Sequence, residues 1–183
     1  NSEGTLLAIN NGEDVSVWNT QSWKSVGKRL NFPPDIEGVC FANPEADQPA
    51  TTALAVWLAD GTVHLFKPGA DEKQGLWVPS TSIRTSTSYL VDCVFSPDNA
   101  LLATVDEAAL IRIWDSNTGL SVTTPFRLKS DNTEDQLCRK LRFSKNGSRL
   151  IAGFSSFVGT PALLKNPNEF QTLVATHLES DSK

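Results

Sequence analysis

Residues 101–128 read LLATVDEAALIRIWDSNTGLSVTTPFRL, and residues 6–30 repeat the line as LLAINNGEDVSVWNTQSWKSVGKRL. Laid over each other, Leu6 and Leu7 match Leu101 and Leu102, Trp18 matches Trp114, Asn19 matches Asp115 and Val26 matches Val122. A third copy, ALAVWLADGTVHLFKP at residues 53–68, carries Phe66 at the tryptophan position, 48 residues from both Trp18 and Trp114. A chain that repeats at a fixed interval of this length is an array of one supersecondary unit. An interval of about 40–45 residues belongs to the four-stranded blade of a β-propeller.

Each copy divides into strands and turns. YLVDCVFSPDN at residues 89–99 alternates and stops at the turn cluster Pro97-Asp98-Asn99. LLATV is a short apolar strand, Asp106 to Ala109 a tight turn, and LIRIWD a second alternating strand closed by Ser116-Asn117-Thr118-Gly119. SVTTPFRL supplies an outer strand, with Pro125 suited to an edge. Four such strands form an antiparallel meander. The second copy adds IEGVCFAN at 36–43, expands its first turn to NPEADQPATT, and ends within LWVPSTSI. The fourth opens with CRKLRFSKNGSRLIAGFSS, and its later half, PALLKN and FQTLVAT, lacks the tryptophan. The first copy lacks its opening strand. No stretch keeps a helical period.

The expected fold is all-β, a β-propeller of four-stranded antiparallel blades, present as an incomplete propeller segment of about fifteen strands. The blades are expected at about 1–34, 35–88, 89–130 and 131–176, with a polar tail at 177–183. Each blade presents one face to each neighbour, so an interior blade needs two neighbours.

Composition narrows the function classes. The net charge is −5, and Lys and Arg are scattered singly, with no basic stripe to follow a nucleic-acid backbone. No apolar run reaches the length of a membrane span, and the start has no signal-peptide pattern. Cys40, Cys93 and Cys138 have no paired or CxxC spacing, so they read as buried reduced thiols. That points to an intracellular, cytoplasmic setting. No cofactor or metal is expected. The chain has no methionine, position 1 included, and it opens in mid-repeat. Both features suggest a piece of a longer protein.

VFSPDNALLATVDEAALIRIWDSNTG, residues 94–119, resembles a WD repeat, in which a Phe-Ser-Pro-Asp turn precedes a strand pair ending in Trp-Asp. The resemblance covers most of residues 5–176 in four copies and is strongest in the third. It implies a propeller that closes with more blades than these. The remaining blades would come from the same or another chain, because open strand edges invite pairing. It also implies a protein-binding scaffold. One departure concerns the family's Gly-His pair, whose His bonds an Asp in the turn before the third strand. His64 lies in a strand, His177 lies near the end, and neither follows a glycine. Asp60 does occupy the turn position, six residues before Phe66, whereas the other copies carry Gly12-Glu13-Asp14 or Asp106-Glu107-Ala108. The buried polar network is therefore expected to be incomplete, and packing to be mainly apolar.

Trp18, Phe66 and Trp114 share one repeat position and are expected in the core between blades. Trp23, Trp57 and Trp77 break the repeat: Trp23 matches Gly119, and Trp57 matches Asn10 and Val105. Non-repeating aromatics are candidate partner contacts, because Trp, Tyr and Arg dominate binding hot spots. Arg84, Arg112, Arg139 and Lys140, near strand ends and loops, complete the candidate set. The Ser/Thr-rich segment 79–90 reads as a polar connection, and Asn146-Gly147-Ser148 as a hairpin turn.

No catalytic set is expected. There is no Gly-x-Ser-x-Gly and no phosphate loop, and His64 and His177 are too far apart for a metal site or triad. The acid pairs Asp106-Glu107 and Glu134-Asp135 fall in predicted turns. The expected function is a non-catalytic WD-repeat scaffold for protein–protein interaction within a larger protein or complex. The alternative is a sensor or regulatory propeller attached to a signalling enzyme, a kinase or nucleotide-hydrolysing switch. A propeller enzyme or sugar-binding propeller would instead cluster acids or exposed aromatics on one face.

Overall fold

The alternating segments pair with their chain neighbours into four antiparallel sheets. A computed structural model describes residues 1, 3–33, 35–43, 53–69, 77–85, 89–127, 136–156 and 172–175. The first sheet holds β1 (Leu6–Asn10), β2 (Asp14–Asn19) and β3 (Leu30–Asn31). The second holds β4 (Ile36–Phe41), β5 (Leu54–Leu58), β6 (Thr62–Pro68) and β7 (Trp77–Arg84). The third holds β8 (Leu90–Phe95), β9 (Leu101–Asp106), β10 (Leu110–Asp115) and β11 (Phe126–Arg127). The fourth holds β12 (Gln136–Phe143), β13 (Leu150–Ser156) and β14 (Thr172–Ala175). The fold is all-β, an incomplete segment of a propeller, with no helix among the described residues. The first sheet begins at the second strand of its blade, as the sequence pattern indicated. PALLKN, most of the expanded turn at 43–52, His177 and the polar tail lie outside the described residues.

The repeat holds at the level of register. Leu7 pairs with Trp18, Leu54 with Phe66 and Leu102 with Trp114. Side chains alternate between sheet faces, so matched register puts matched residues on matched faces. One face of each blade meets the preceding blade. Leu54, Val56 and Phe66 pack on Leu6, Val15 and Val17 of the first blade. Leu102 and Trp114 pack on Ala55, Val63 and Leu65 of the second. Leu141, Leu150 and Ala152 pack on Ala103, Val105 and Ile111 of the third. Each fully buried Leu, Ile or Val contributes about 1.5–3 kcal/mol.

Trp18 departs from the core expectation. Phe66 and Trp114 are buried, but Trp18 is half-buried. Its blade shows the same face uncovered: Leu7 is 41% and Ile9 46% exposed, whereas Leu54, Val56, Leu102 and Thr104 at matched positions are fully buried.

The outer strands also differ from expectation. SVTTPFRL forms only the two-residue β11 and an isolated bridge between Trp114 and Ser121. Pro125 has no N–H to donate, and Leu120 and Val122 turn to solvent. The first blade repeats the pattern, with a Trp18–Ser25 bridge ahead of β3. β7, in contrast, runs through eight residues, with one shift in its pairing to β6 at Leu65/Phe66.

The third blade is less apolar than expected. Asp106, buried at the end of β9, accepts the Leu110 N–H at 2.9 Å and the Arg112 guanidinium at 3.0 Å. The Trp114 indole donates to Thr104 Oγ1 at 3.0 Å. No histidine takes part, so a different set of side chains satisfies the buried groups.

Candidate interaction site

Because the strands form meanders, the turns fall at two ends of the blades. One end carries the β1–β2, β5–β6 and β9–β10 turns together with the starts of β4, β8 and β12. The other end carries the turns that follow β2, β8, β10 and β12 together with the end of β4. At this second end an amide exchange joins two blades. The Asn43 N–H donates to Asn99 Oδ1 at 2.8 Å, and Asn99 Nδ2 donates to the Asn43 carbonyl at 2.8 Å.

Two clefts of about 520 Å³ each lie between blades. One opens at the first end, between Glu37, Tyr89, Glu107 and Arg139. Tyr89, the chain's one tyrosine, donates a short hydrogen bond to Glu37, which pushes its phenol pKa up. The other cleft is axial and runs along the first described strand of every blade, where it meets Leu7, Cys40, Cys93 and Lys140. Within it, the buried Asp92 carboxylate accepts the Leu141 N–H at 2.7 Å, with Lys140 Nζ at 3.6 Å and an Arg142 nitrogen at 3.8 Å. This carboxylate ties the third blade to the fourth.

The seven candidates separate cleanly. Trp57 and Trp77 are buried: Trp57 packs in the seam between the second and third blades, Trp77 in that between the first and second. The Trp57 Nε1 is buried without a hydrogen-bond partner among the described residues. Arg112, with a side chain only 14% exposed, is held by Asp106. These three are supports of the blades rather than free surface. Lys140 stands in the axial cleft beside Asp92, and Arg139 lines the cleft of Tyr89. Arg84 is exposed at the last residue of β7, at the same end as Arg139. Trp23 is alone at the opposite end, 67% exposed in the turn between β2 and β3.

Trp23 has an unusual backbone. Its φ is 53°, and its N–H donates to the Asn19 carbonyl at 2.9 Å. Gly119 at the matched position has φ 73° and donates to the Asp115 carbonyl at 2.8 Å. The turn is one structure built twice, once with the residue suited to the left-handed region and once with an indole.

The titratable groups give little chemical poise. Burial raises the Cys93 thiol well above its ordinary value and pushes Cys138 up to about 11, so neither is a thiolate at neutral pH. Among the described residues, no cluster of His, Cys, Asp and Glu could hold a metal ion. His64 faces Ser82 Oγ at 2.9 Å, and burial lowers its pKa below the ordinary 6.5, opposed by Asp60. The folded state therefore binds fewer protons than the unfolded state just below pH 6.5. Stability from this site is complete above that pH and declines as pH falls through the folded pKa. Urea unfolding between pH 7.5 and 5 is expected to show a flatter slope in His64→Gln, and an unchanged slope would contradict this assignment.

The sequence reading missed Tyr89 and Glu37 and took Glu107 for a turn acid, because nothing in a linear pattern brings the start of β4, the residue before β8 and the β9–β10 turn together.

Solved structures share the fold. Hsv2 from Kluyveromyces lactis superposes with a TM-score of 0.61 at 18% identity, covering 82% of this chain and 43% of that one. Raptor from Chaetomium thermophilum gives a TM-score of 0.61 at 18% identity, covering 82% of this chain and 14% of that one. The chain thus spans less than half the length of either. It matches no protein-family model and no curated protein by sequence.

Proposed function

We propose that this chain is a non-catalytic WD-repeat scaffold that holds a protein partner within a larger cytoplasmic protein or complex, with further propeller blades from the same or another chain completing the array. The observation that carries the reading is Trp23. A non-glycine residue in the left-handed region costs about 1–2 kcal/mol. An indole left 67% in water gains little packing in return. Stability alone would favour glycine there, as at Gly119. A large aromatic retained at such a cost fits a contact anchor, which a partner buries on docking. Arg84, Arg139 and Lys140 offer peripheral polar contacts at other loops and clefts, while Trp57, Trp77 and Arg112 keep the presenting blades rigid.

The test opposes stability to binding in one variant. Trp23→Gly is expected to gain about 1 kcal/mol of unfolding free energy by denaturant titration. Quantitative capture with the full-length protein should then show a partner reduced by tenfold or more. If Trp23→Gly and Trp23→Ala both retain every partner at the wild-type level, the reading is wrong.

A further inference from the structure

Cys40 in β4 and Cys93 in β8 stand on strands that line the axial cleft, in adjacent blades. Side chains alternate along each strand. Val39 and Phe41 pack toward the first blade, whereas Cys40, with Ala42 beyond it, packs toward the third. Cys93 and Phe95 pack toward the second blade, whereas Val94 packs toward the fourth. The two thiols therefore face each other across the seam between the second and third blades. Burial first, and then a hydrogen bond with Cys40, hold the Cys93 thiol in its protonated form. Cys138 lies in the next seam, where its thiol donates to the Lys140 carbonyl at 3.8 Å.

Packing alone does not call for this pair. Phe41, Phe95 and Phe143 lie opposite Leu54, Leu102 and Leu150, so Val94 and Leu141 hold the matched places in the seam between the third and fourth blades. Two aliphatic side chains close that seam. Here two sulfur atoms stand in their place, and they differ in access. Cys93 is buried and Cys40 is half-buried, and both line the axial cleft. Lys140 and Arg142 line the same cleft, two cations beside the Asp92 carboxylate, and favour the approach of an anionic reagent.

We infer that Cys40 and Cys93 form a reversible thiol–disulfide site, which a small-molecule disulfide oxidises and which then staples the second blade to the third. Cys40, the accessible thiol, loses its proton to water and attacks one sulfur of the small disulfide. An S–S bond forms to Cys40, the small disulfide breaks, and the departing thiolate takes up a proton. Cys93 then attacks the Cys40 sulfur, and its proton passes to the second departing thiolate. Two protein thiols are oxidised to one disulfide, and the small disulfide is reduced to two thiols. A small thiol in excess reverses both steps. The bond would link strands more than fifty residues apart in the chain, and so restrict the unfolded state strongly. The inference goes beyond the partner reading and does not use Trp23, which lies in the turn between β2 and β3.

The probe is oxidised glutathione, incubated with the folded full-length protein, whose cysteines are then mapped by mass spectrometry after proteolysis. Fragments carrying Cys40 and Cys93 are expected joined, with Cys138 still free, and dithiothreitol should separate them. The urea midpoint of the joined form should rise. Cys93→Leu, which copies Leu141, should accumulate a glutathione adduct on Cys40 tenfold or more above wild type, because the resolving thiol is gone. Cys40→Val, which copies Val94, should leave Cys93 unoxidised. Should either variant fail to fold, the wild-type map decides alone. Trp23→Gly should form the link like the wild type, which separates this inference from the partner reading. A link that forms only in urea or lowers the urea midpoint would overturn the proposal. So would a wild-type protein that stays reduced or stops at the Cys40 adduct, or oxidation of Cys93 without Cys40.

Discussion

Gly38→Ala is expected to cost about 3 kcal/mol of unfolding free energy, a large effect for one methyl group. A Cβ at Gly38 would stand 2.1 Å from Cζ2 and 2.5 Å from Cε2 of Trp57. The indole cannot swing away cheaply, because it is packed between the second and third blades against Leu90 and Cys93. The repeat shows the other solution to the same pairing: Gly38 lies opposite Trp57 where Asp92 lies opposite Val105. Trp57→Val alone should also cost about 3 kcal/mol, through the cavity it leaves. The double variant should be more stable than the sum of the single losses by about 2 kcal/mol, because each change removes the reason for the other's cost. Urea titrations followed by circular dichroism would measure all three. A neutral Gly38→Ala, or strict additivity, would show that the ring does not occupy the glycine's space.

Trp114→Ala is expected to cost about 3–5 kcal/mol, and Trp18→Ala at the matched position only about 1–2 kcal/mol. The two residues share type, register and repeat position, but Trp114 is buried against the second blade and Trp18 is half-buried. The difference therefore measures the cover that a neighbouring blade provides. Trp114→Phe isolates the polar part. It copies Phe66 in shape, loses the bond to Thr104 and leaves that buried hydroxyl without its donor, at about 1–2 kcal/mol. Adding Thr104→Val should recover part of this loss. Equal losses at positions 18 and 114 would mean that blade-to-blade cover does not set the energetics.

Much of the fold was legible in the line of residues, and for a physical reason. A blade is built from local antiparallel pairings, so its signals are local: alternation, turn clusters and a recurring aromatic. The equivalence of Leu7 with Leu102 and of Trp18 with Trp114 follows from matching the two segments. The candidate site was less legible, because a non-repeating side chain has two opposite explanations. Trp23 and Trp57 both break the pattern, yet one is in water and the other is under a neighbouring blade. Nothing adjacent to Trp57 in sequence marks Gly38 as the residue that yields room for it, since the two are brought together only by strand pairing. The polar network of the third blade was misjudged in the same way. The absent Gly-His pair was visible, but the Asp106–Arg112 and Trp114–Thr104 contacts that replace it depend on side chains meeting across β9 and β10.

The sequence by itself determined the all-β class and the blade unit. These are properties of short-range alternation and of the 48-residue spacing between Trp18, Phe66 and Trp114. Only the tertiary structure decided which aromatics are support and which are surface, and which cations are held by carboxylates. Exposure depends on what the neighbouring blade covers, and that neighbour is set by long-range packing, which no local pattern encodes.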